Sequence, residues 1–436
     1  MRARDLLLRS GTWWLVDRLV TGFAALVTQV WLARILGVES YGHVAYITGV
    51  IALLFPIAQM GVGGLVGAAL VQNEAHQRDI IAAATGWRLI GGVVAALLGM
   101  IYWSAGLQTP ASSTPLLLLS AALVPLGFSF LEFRFQAIQQ PQRLVPWRIG
   151  ATVIGTALKI YAAYIGGVDF LVVAIAVDFT MQGIAHLLAH RVSAGEWIRP
   201  SFTSPWFTWF TQRNGLLLAS GIAEAIYLRI DVAMLGLLST PSETAIYSVA
   251  ARLSELWLII PAVLVAALAP KLFSIMSPGA QFNRNMQATF DALSALSISI
   301  VLGTLLVGGW IIEALFGGEY AAAQTILSVH IWSILFLFGR ALYSRYLLSA
   351  DLIRESLIST ASGAAINLML NLMLIPRLGA LGAAVATVVS YGIAGWLILY
   401  TRRSTRHVAI MMSKSFMPIF RLAEYSKNIR QFFSQH

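Results

Sequence analysis

Stretches of about twenty apolar residues recur along almost the whole chain, and they constrain its fold more than any other feature. A helix needs about 20 mostly apolar residues to cross the hydrocarbon core of a bilayer. Only 11% of the 436 residues are charged and 58% are hydrophobic, whereas soluble domains carry about 25% charged residues. Backbone in lipid must satisfy its own hydrogen bonds, so the sequence predicts an all-α integral membrane protein.

The apolar stretches predict about twelve transmembrane helices in two groups of six. A longer loop at about 191–213 separates the groups, and its Trp206 to Phe210 run is typical of a segment lying in the membrane interface. We therefore expect an N-terminal six-helix lobe at 1–200, a C-terminal six-helix lobe at 201–404, and a basic cytoplasmic tail at 405–436 that contains an interfacial amphipathic helix or is disordered. The approximate limits of the spans are 12–33, 43–70, 80–103, 114–135, 146–166, 169–190, 214–238, 246–270, 290–315, 322–349, 356–376 and 380–401.

The distribution of positive charge predicts the orientation of these spans. Cytoplasmic loops of membrane proteins carry an excess of Lys and Arg. With the N-terminus inside, 20 of the 29 Lys and Arg residues fall on the inside, seven fall within spans, and two, Arg34 and Arg377, fall outside. The count favours a multi-pass protein with both termini and the 191–213 loop in the cytoplasm.

The two halves share features that predict a pseudo-symmetric repeat. Gly167 and Gly379 occupy matching tight turns, between the fifth and sixth and between the eleventh and twelfth spans. Lys159 and Asn371 each precede their turn glycine by eight residues. Internal repeats are common in secondary transporters.

Several classes of function lack the residues they need. The chain has no cysteine, which excludes thiolate metal sites. His186 and His190 have metal-ligand spacing, but no Glu or Cys supports them, and no metal site is predicted. The net charge of +10 lies in short loops rather than in a nucleic-acid-binding patch. The sequence contains no nucleotide-binding loop and no GxSxG or Asp-x-Asp motif, so an enzyme is not expected.

Four short motifs follow one another in a particular order, and Asn367 and Asn371 precede the last. They are LARILG at 32–37 with YG at 41–42, RIDVAMLG at 229–236 with IYSVAARLSE at 246–255, LFGGEY at 315–320, and IP at 375–376 with LGALGAAVAT at 378–387. Each is weak alone, but together they make residues 1–401 resemble the Wzx-type O-antigen and polysaccharide repeat-unit flippases of the multidrug/oligosaccharidyl-lipid/polysaccharide (MOP) superfamily.

The resemblance implies two six-helix lobes around a central cavity. It also implies a transporter that flips an undecaprenyl-diphosphate-linked oligosaccharide from the cytoplasmic to the outer leaflet for O-antigen, lipopolysaccharide or exopolysaccharide synthesis. Its location would be the bacterial cytoplasmic (inner) membrane, and its partners would be membrane lipids, a polysaccharide polymerase and chain-length proteins. No cofactor is implied, and coupling to protons or sodium stays open.

Ionisable side chains inside the spans are the candidate site residues, because a charge at bilayer depth is costly and is normally functional or paired. Arginine forks suit a diphosphate, and amide groups suit a polar cavity or helix packing. The candidate cavity cations are Arg18, Arg252, Arg340 and Arg345; the candidates for coupling or pairing are Asp17, Lys159, Glu224, Asp231 and Glu255; the candidate amides are Asn367 and Asn371.

Some of these residues have a simpler structural interpretation. Arg252 and Glu255 are three residues apart and could form an intrahelical pair. Asn367 and Asn371 share a helix face, which favours hydrogen bonding between helices over substrate contact. Arg88 is expected to snorkel towards the membrane boundary.

Three other functions remain open at this point. A drug or small-cation exporter of the same fold would have a cavity dominated by carboxylates, and the excess of arginines in the spans speaks against it. A glycan polymerase or ligase would need a sizeable outside loop, and every predicted outside loop is about ten residues or fewer. A purely structural partner in glycan assembly is the third alternative.

Overall fold

The computed structural model describes residues 3–106, 109–274 and 279–416, and all regular secondary structure within them is helical. The predicted amphipathic helix of the tail, at about 421–433, lies outside the described residues. The α-helices are α1 Ala3–Gln59, α2 Val62–Gln72, α3 Gln77–Ser104, α4 Ser113–Ala121, α5 Leu123–Leu126, α6 Glu132–Ala137, α7 Val145–Ala194, α8 Pro205–Leu238, α9 Pro241–Glu255, α10 Ile259–Ser274, α11 Ala280–Phe316, α12 Ala323–His330, α13 Ser333–Ser349, α14 Ile353–Gly395 and α15 Arg406–Ser415.

The described residues contain eight helical segments that are long and apolar enough to cross a membrane. Three of them are far longer than one span, at 63, 50 and 48 residues, and each contains a glycine with non-helical backbone angles that divides it in two. With α8, which is 34 residues long, the described segments account for the twelve predicted spans. The prediction of an all-α integral membrane protein is confirmed.

The dividing residues are Gly37, Gly167 and Gly379, all with positive φ. Gly167 has φ 62° and ψ −144°, and Gly379 has φ 55° and ψ −133°. Side chains other than glycine's rarely adopt these angles. The chain can therefore reverse at both points with almost no loop, as the paired turns in the sequence predicted.

The aromatic run at 206–210, for which the sequence predicts a place in the membrane interface, forms the first turns of α8. Phe210 is fully buried, and the partly buried Trp206, Phe207 and Trp209 pack against a core cluster that includes Leu70. The cluster draws its other buried residues from α2, α3 and the segment Gly127–Leu131, so the run is anchored to the helices of unit 1.

The contacts divide the chain into two compact units, Met1–Ala225 and Ile226–His436; the sequence placed the boundary at 200. Unit 1 contains α1 to α7 and the first part of α8, and α1 packs on α3 and α7. Unit 2 contains the end of α8 and α9 to α15, with α13 and α12 packed on α14. One of its cores stacks Tyr227 on Tyr391, with ring centroids 4.4 Å apart.

Candidate functional site

A cavity of about 230 Å³ lies inside unit 2, and its polar groups come from α8, α9, α12, α13 and α14. Arg229, Arg252 and Glu255 line it. Arg229 Nη1 donates to both carboxylate oxygens of Glu255, at 3.0 and 2.9 Å, and Arg252 Nη1 lies 3.8 Å from the same carboxylate. Two guanidiniums therefore share one carboxylate, and this group of three carries one net positive charge.

The expected intrahelical pair between Arg252 and Glu255 exists, but it is the looser of the two contacts. The closer partner of Glu255 is Arg229, which approaches from α8. Both arginine side chains remain over two-fifths exposed, at 42% and 43%, whereas that of Glu255 is 21% exposed. The cations are thus held at one side and open to the cavity on the other.

The other predicted cations do not line this cavity. Arg340 lies over the Tyr227 ring, 4.7 Å from its centroid, and donates to the Thr360 hydroxyl at 3.1 Å. Arg345 is exposed on α13. Arg18 belongs to unit 1, and its side chain is 69% exposed. Of the four predicted cavity cations, the structure places only Arg252 at the unit 2 cavity.

A buried carboxylate lies in unit 2 within a network of neutral donors. Asp231 on α8 accepts hydrogen bonds from Tyr247 and Thr387 to one oxygen, both at 3.0 Å. Its other oxygen accepts from the Asn371 amide at 2.5 Å, and Asn371 also donates to Asn367 at 2.8 Å. The two asparagines share one face of α14, and they join that helix to α8 through Asp231.

The network continues from Asn367 to the other arm of α14, since its amide donates to Ser390 at 3.2 Å. The three side chains that donate hydrogen bonds to Asp231 are all uncharged. Carboxylate, amide and hydroxyl oxygens are suitable ligands for a small hard cation, and a carboxylate is also a proton acceptor. The arrangement therefore fits a group that exchanges a proton or a sodium ion.

Residues of α9 connect this network to the cavity. Tyr247, which donates to Asp231, also meets the ring of His330 edge-on, with centroids 5.6 Å apart. His330 is buried, lines the cavity and forms a 2.6 Å hydrogen bond with Ser254. Tyr247 and Ser254 are seven residues apart, or two helical turns, so they lie on the same face of α9.

Unit 1 contains a cluster of four charges from α1, α6 and α7. Arg148 lies between two acids, with Glu132 at 2.7 Å and Asp17 at 3.3 Å. Arg18 is 3.9 Å from Glu132. Asp17 is completely buried, and the four formal charges cancel. Asp17 thus has a pairing partner, and Arg148 is the residue that sequence reasoning did not identify.

Lys159 and Asp178 form a second pair in unit 1, at 2.7 Å. Both lie on α7, one on each side of the Gly167 turn, and a Cβ on Gly155 would lie 2.0 Å from the Asp178 carboxylate. They precede and follow Gly167 by eight and eleven residues. Asn371 and Ser390 stand at the same distances from Gly379, so polar groups occupy matching positions around both turns.

Glu224 and Arg88 have opposite environments. Glu224, a candidate for coupling or pairing, is exposed on α8. Arg88 does not snorkel, and the expectation was wrong: its side chain is 3% exposed and lies over the ring of Phe130, at 5.7 Å from the centroid. The sequence could not reveal the burial of Arg88, because it depends on a tertiary contact in which an aromatic face covers the guanidinium.

The described residues contain no group of three or more His, Asp or Glu side chains arranged to hold a metal ion. The residues that sequence reasoning missed are Arg229 as a cavity cation, and Tyr247, Thr387 and His330 around the buried carboxylate. Arg229, Tyr247 and Thr387 all lie in the motifs that carried the family resemblance, which was the available signal. Nothing local in the sequence marks His330.

The helical fold is similar to that of two solved membrane-transporter structures. The lipid II flippase MurJ in an inward closed conformation has a TM-score of 0.69 at 16% identity, over 95% of this chain and 92% of that one. An inward-facing multidrug resistance MATE family transporter of the MOP superfamily has a TM-score of 0.67 at 14% identity, over 93% and 96%. The chain itself belongs to the polysaccharide biosynthesis protein family, which matches residues 7–276.

Two curated relatives come from Haloferax volcanii. The "Probable flippase AglR" is 25% identical over 244 residues, which are 55% of this chain and 50% of that protein. The "Probable low-salt glycan biosynthesis flippase Agl15" is 25% identical over 182 residues, or 40% and 38%. The matches therefore span half or less of these relatives' own lengths. The family and the fold agree with the resemblance seen in the sequence motifs.

Proposed function

We propose that this protein is a flippase, and not an enzyme, that moves an undecaprenyl-diphosphate-linked oligosaccharide from the cytoplasmic to the outer leaflet by alternating access. Membership of the polysaccharide biosynthesis family supports this, as do the names of its two archaeal relatives. The observation that carries the proposal is the net positive cavity in unit 2, where Arg229 and Arg252 share Glu255.

The geometry of this cavity suits the diphosphate of the substrate. Guanidinium forks bind phosphate oxygens through paired, charge-assisted hydrogen bonds. Glu255 fixes Arg229 through both its oxygens and lies 3.8 Å from Arg252, so two guanidiniums are held side by side at the cavity wall. At about 230 Å³ the cavity is smaller than the ~300–1,000 Å³ pockets that hold drug-sized ligands. It would hold the charged head group, with the sugars elsewhere.

A drug or small-cation exporter of the same superfamily is the alternative function. A cationic substrate calls for carboxylates that outnumber the cations around it. The cavity in unit 2 has two guanidiniums and one carboxylate, and the acids of unit 1 are matched by Arg148, Lys159 and Arg18. The charge balance therefore favours an anionic substrate. A glycan polymerase or ligase is less favoured still, because the family relatives are named flippases.

Coupling to a proton or a sodium ion would use Asp231. The three side chains that donate to it are neutral, so the carboxylate can gain a proton or a cation without displacing any of the described ion pairs. Tyr247 and Ser254 lie on one face of α9, which offers a route by which a change at Asp231 reaches the cavity through His330. Replacing sodium by potassium, and separately collapsing the pH gradient, distinguishes the two ions in reconstituted vesicles.

Both termini are proposed to lie in the cytoplasm, with the protein in a bacterial cytoplasmic membrane. The 20-to-2 distribution of Lys and Arg supports this orientation. A polysaccharide polymerase and chain-length proteins are the proposed partners, because a flipped repeat unit is useful only if an enzyme on the outer face polymerises it. Co-purification of these proteins from native membranes tests the partnership.

Deleting the gene tests the central proposal. Lipid-linked oligosaccharide should accumulate on the inner leaflet, and the wild-type gene should restore export. Arg229→Ala and Arg252→Ala should each insert normally but restore little export, and lysine at either position should rescue partly. Arg284→Ala, which removes an exposed cation on α11, is the matched control. If no lipid-linked sugar accumulates, or if both alanine variants export as well as the control, this function is wrong.

A further inference from the structure

A second and larger cavity, of about 1040 Å³, lies in unit 1 where its basic loops gather. The start of α3, Arg134 of α6, the end of α7 and the connection that follows α7 all contribute to its wall. None of the residues assigned above to transport or coupling lines it. Its polar groups come from six charged residues of both signs and from His190 and Ser193; the charged residues are Glu74, Arg78, Asp79, Arg134, Glu196 and Arg199.

Two arginines converge on one residue of this cavity wall. Arg134 and Ser193 line the cavity, and Arg134 and the exposed Arg143 each place Nη1 3.2 Å from the hydroxyl of Ser193, so the two charged nitrogens lie within twice that distance of each other. In the part of the chain that the structure describes, no carboxylate lies within 4.0 Å of either guanidinium. Glu196 pairs with Arg78, at 2.6 Å, and attracts Arg134 only at longer range. The two guanidiniums at Ser193 therefore form no close ion pair.

His190 adds an unused polar group to the same wall. Its side chain is only 5% exposed and its Nδ1 has no hydrogen-bond partner, although buried polar atoms normally have one. It lies one helical turn before Ser193 on α7. Two guanidiniums, a hydroxyl and an imidazole nitrogen together are the groups that a tetrahedral oxyanion uses.

The aromatic residues beside the cavity place it near the membrane surface. Arg191 lies over the ring of Trp197, 5.6 Å from its centroid, and Trp197 is largely exposed. Tryptophan is enriched at head-group depth, and basic pockets between helices on the cytoplasmic side bind the phosphates of anionic lipids. The cavity opens where such head groups are the most concentrated source of phosphate.

We propose that this cavity is a binding site for the phosphate of an anionic membrane lipid, held by Arg134, Arg143, Ser193 and His190. The site is distinct from the transport cavity of unit 2 and does not depend on the flippase assignment. A bound phosphodiester, with its one negative charge, would offset one of the two positive charges and tie α6 to the end of α7. An anionic lipid should therefore stabilise unit 1 in a way that a neutral lipid does not.

Thermal unfolding of the purified full chain tests the site. In neutral detergent, the melting temperature should rise with added short-chain phosphatidylglycerol and not with short-chain phosphatidylcholine. Arg134→Gln and Arg143→Gln should each raise the half-saturating concentration of phosphatidylglycerol at least tenfold. Arg143 is exposed, so its variant should fold even if the half-buried Arg134 variant does not. Arg284→Gln, which alters an exposed arginine of α11, should respond as the wild type does.

Inorganic phosphate, titrated in parallel, identifies the source of the anion. Protection by phosphatidylglycerol at concentrations where inorganic phosphate has no effect supports a lipid site. Equal protection by both, still lost in the two variants, supports the phosphate site but assigns it to a soluble anion, and overturns the lipid assignment. If Arg143→Gln and Arg284→Gln respond to phosphatidylglycerol as the wild type does, there is no phosphate site at this corner.

Discussion

Replacing Gly379 by alanine should destabilise the protein more than replacing Gly167, although both residues form the same kind of turn. The two glycines have nearly the same backbone angles, with φ of 55° and 62° and ψ of −133° and −144°. Forcing an alanine into this region of the φ/ψ map costs about 1–3 kcal/mol. That cost should be common to both variants.

The difference comes from Glu243 at the start of α9. Its Oε2 accepts a hydrogen bond from the backbone N–H of Ala380, at 2.6 Å. A Cβ on Gly379 would lie 2.6 Å from that same oxygen, whereas a Cβ on Gly167 would meet nothing within 4 Å. Pushing the carboxylate away removes a hydrogen bond to a charged group, which costs about 1.5–3 kcal/mol more. We therefore expect losses of about 1–3 kcal/mol for Gly167→Ala and about 2.5–6 kcal/mol for Gly379→Ala.

Equilibrium unfolding in bicelles, for example by steric trapping, measures both losses. A third variant isolates the cause: with Glu243→Ala already present, adding Gly379→Ala should cost only about as much as Gly167→Ala. Equal losses for the two single variants would refute the reasoning. So would a cost for Gly379→Ala that stays the same after Glu243 has been removed.

Three further outcomes are expected. Asn371→Leu should lower the free energy of unfolding by about 1–3 kcal/mol, since it removes the hydrogen bonds to Asp231 and Asn367 and leaves buried acceptors unpaired. The control, Asn283→Leu on an exposed face, should change the free energy of unfolding by under about 0.5 kcal/mol. Equal effects of the two variants would contradict the interhelical role of Asn371. Arg18→Ala should leave the free energy of unfolding unchanged, because the contact of this exposed arginine with Glu132 is long. As a candidate cavity cation, Arg18 should nevertheless be required for export, and normal export by the variant would remove it from the transport path. Thr203→Cys should react only with a reagent supplied from the cytoplasmic side, and labelling from outside alone would reverse the topology.

The architecture could be predicted from the sequence because each span carries its own signal. Apolar length marks a helix, and the side of the membrane on which each loop lies stays a prediction from the basic residues. Gly167 and Gly379 mark the turns, because the backbone angles needed there belong almost exclusively to glycine. These are local properties of the chain, and neighbouring helices do not alter them.

The partners of charged side chains could not be predicted in the same way. Glu255 was expected to pair along its own helix with Arg252, but Arg229 reaches it from α8 at a shorter distance. Arg148 lies between Asp17 and Glu132, far from Asp17 in the chain. Such contacts depend on the rotation of each helix about its axis, which packing sets. The shared face of the two asparagines could be predicted, because two residues four positions apart lie on the same face of a helix.

The network around Asp231 has a consequence for biosynthesis. Helix α8 is synthesised well before its partners, for Asn371 and Thr387 follow Asp231 by 140 and 156 residues. Translation at about 5–20 residues per second delays their arrival by roughly 7–30 s. During that interval a helix that is absent from the eight strongly apolar segments must hold a carboxylate at bilayer depth with Tyr247 but without Asn371 and Thr387. We therefore expect complete insertion of α8 to wait for α14, and a ribosome stalled before residue 371 should leave α8 at the translocon or accessible to water.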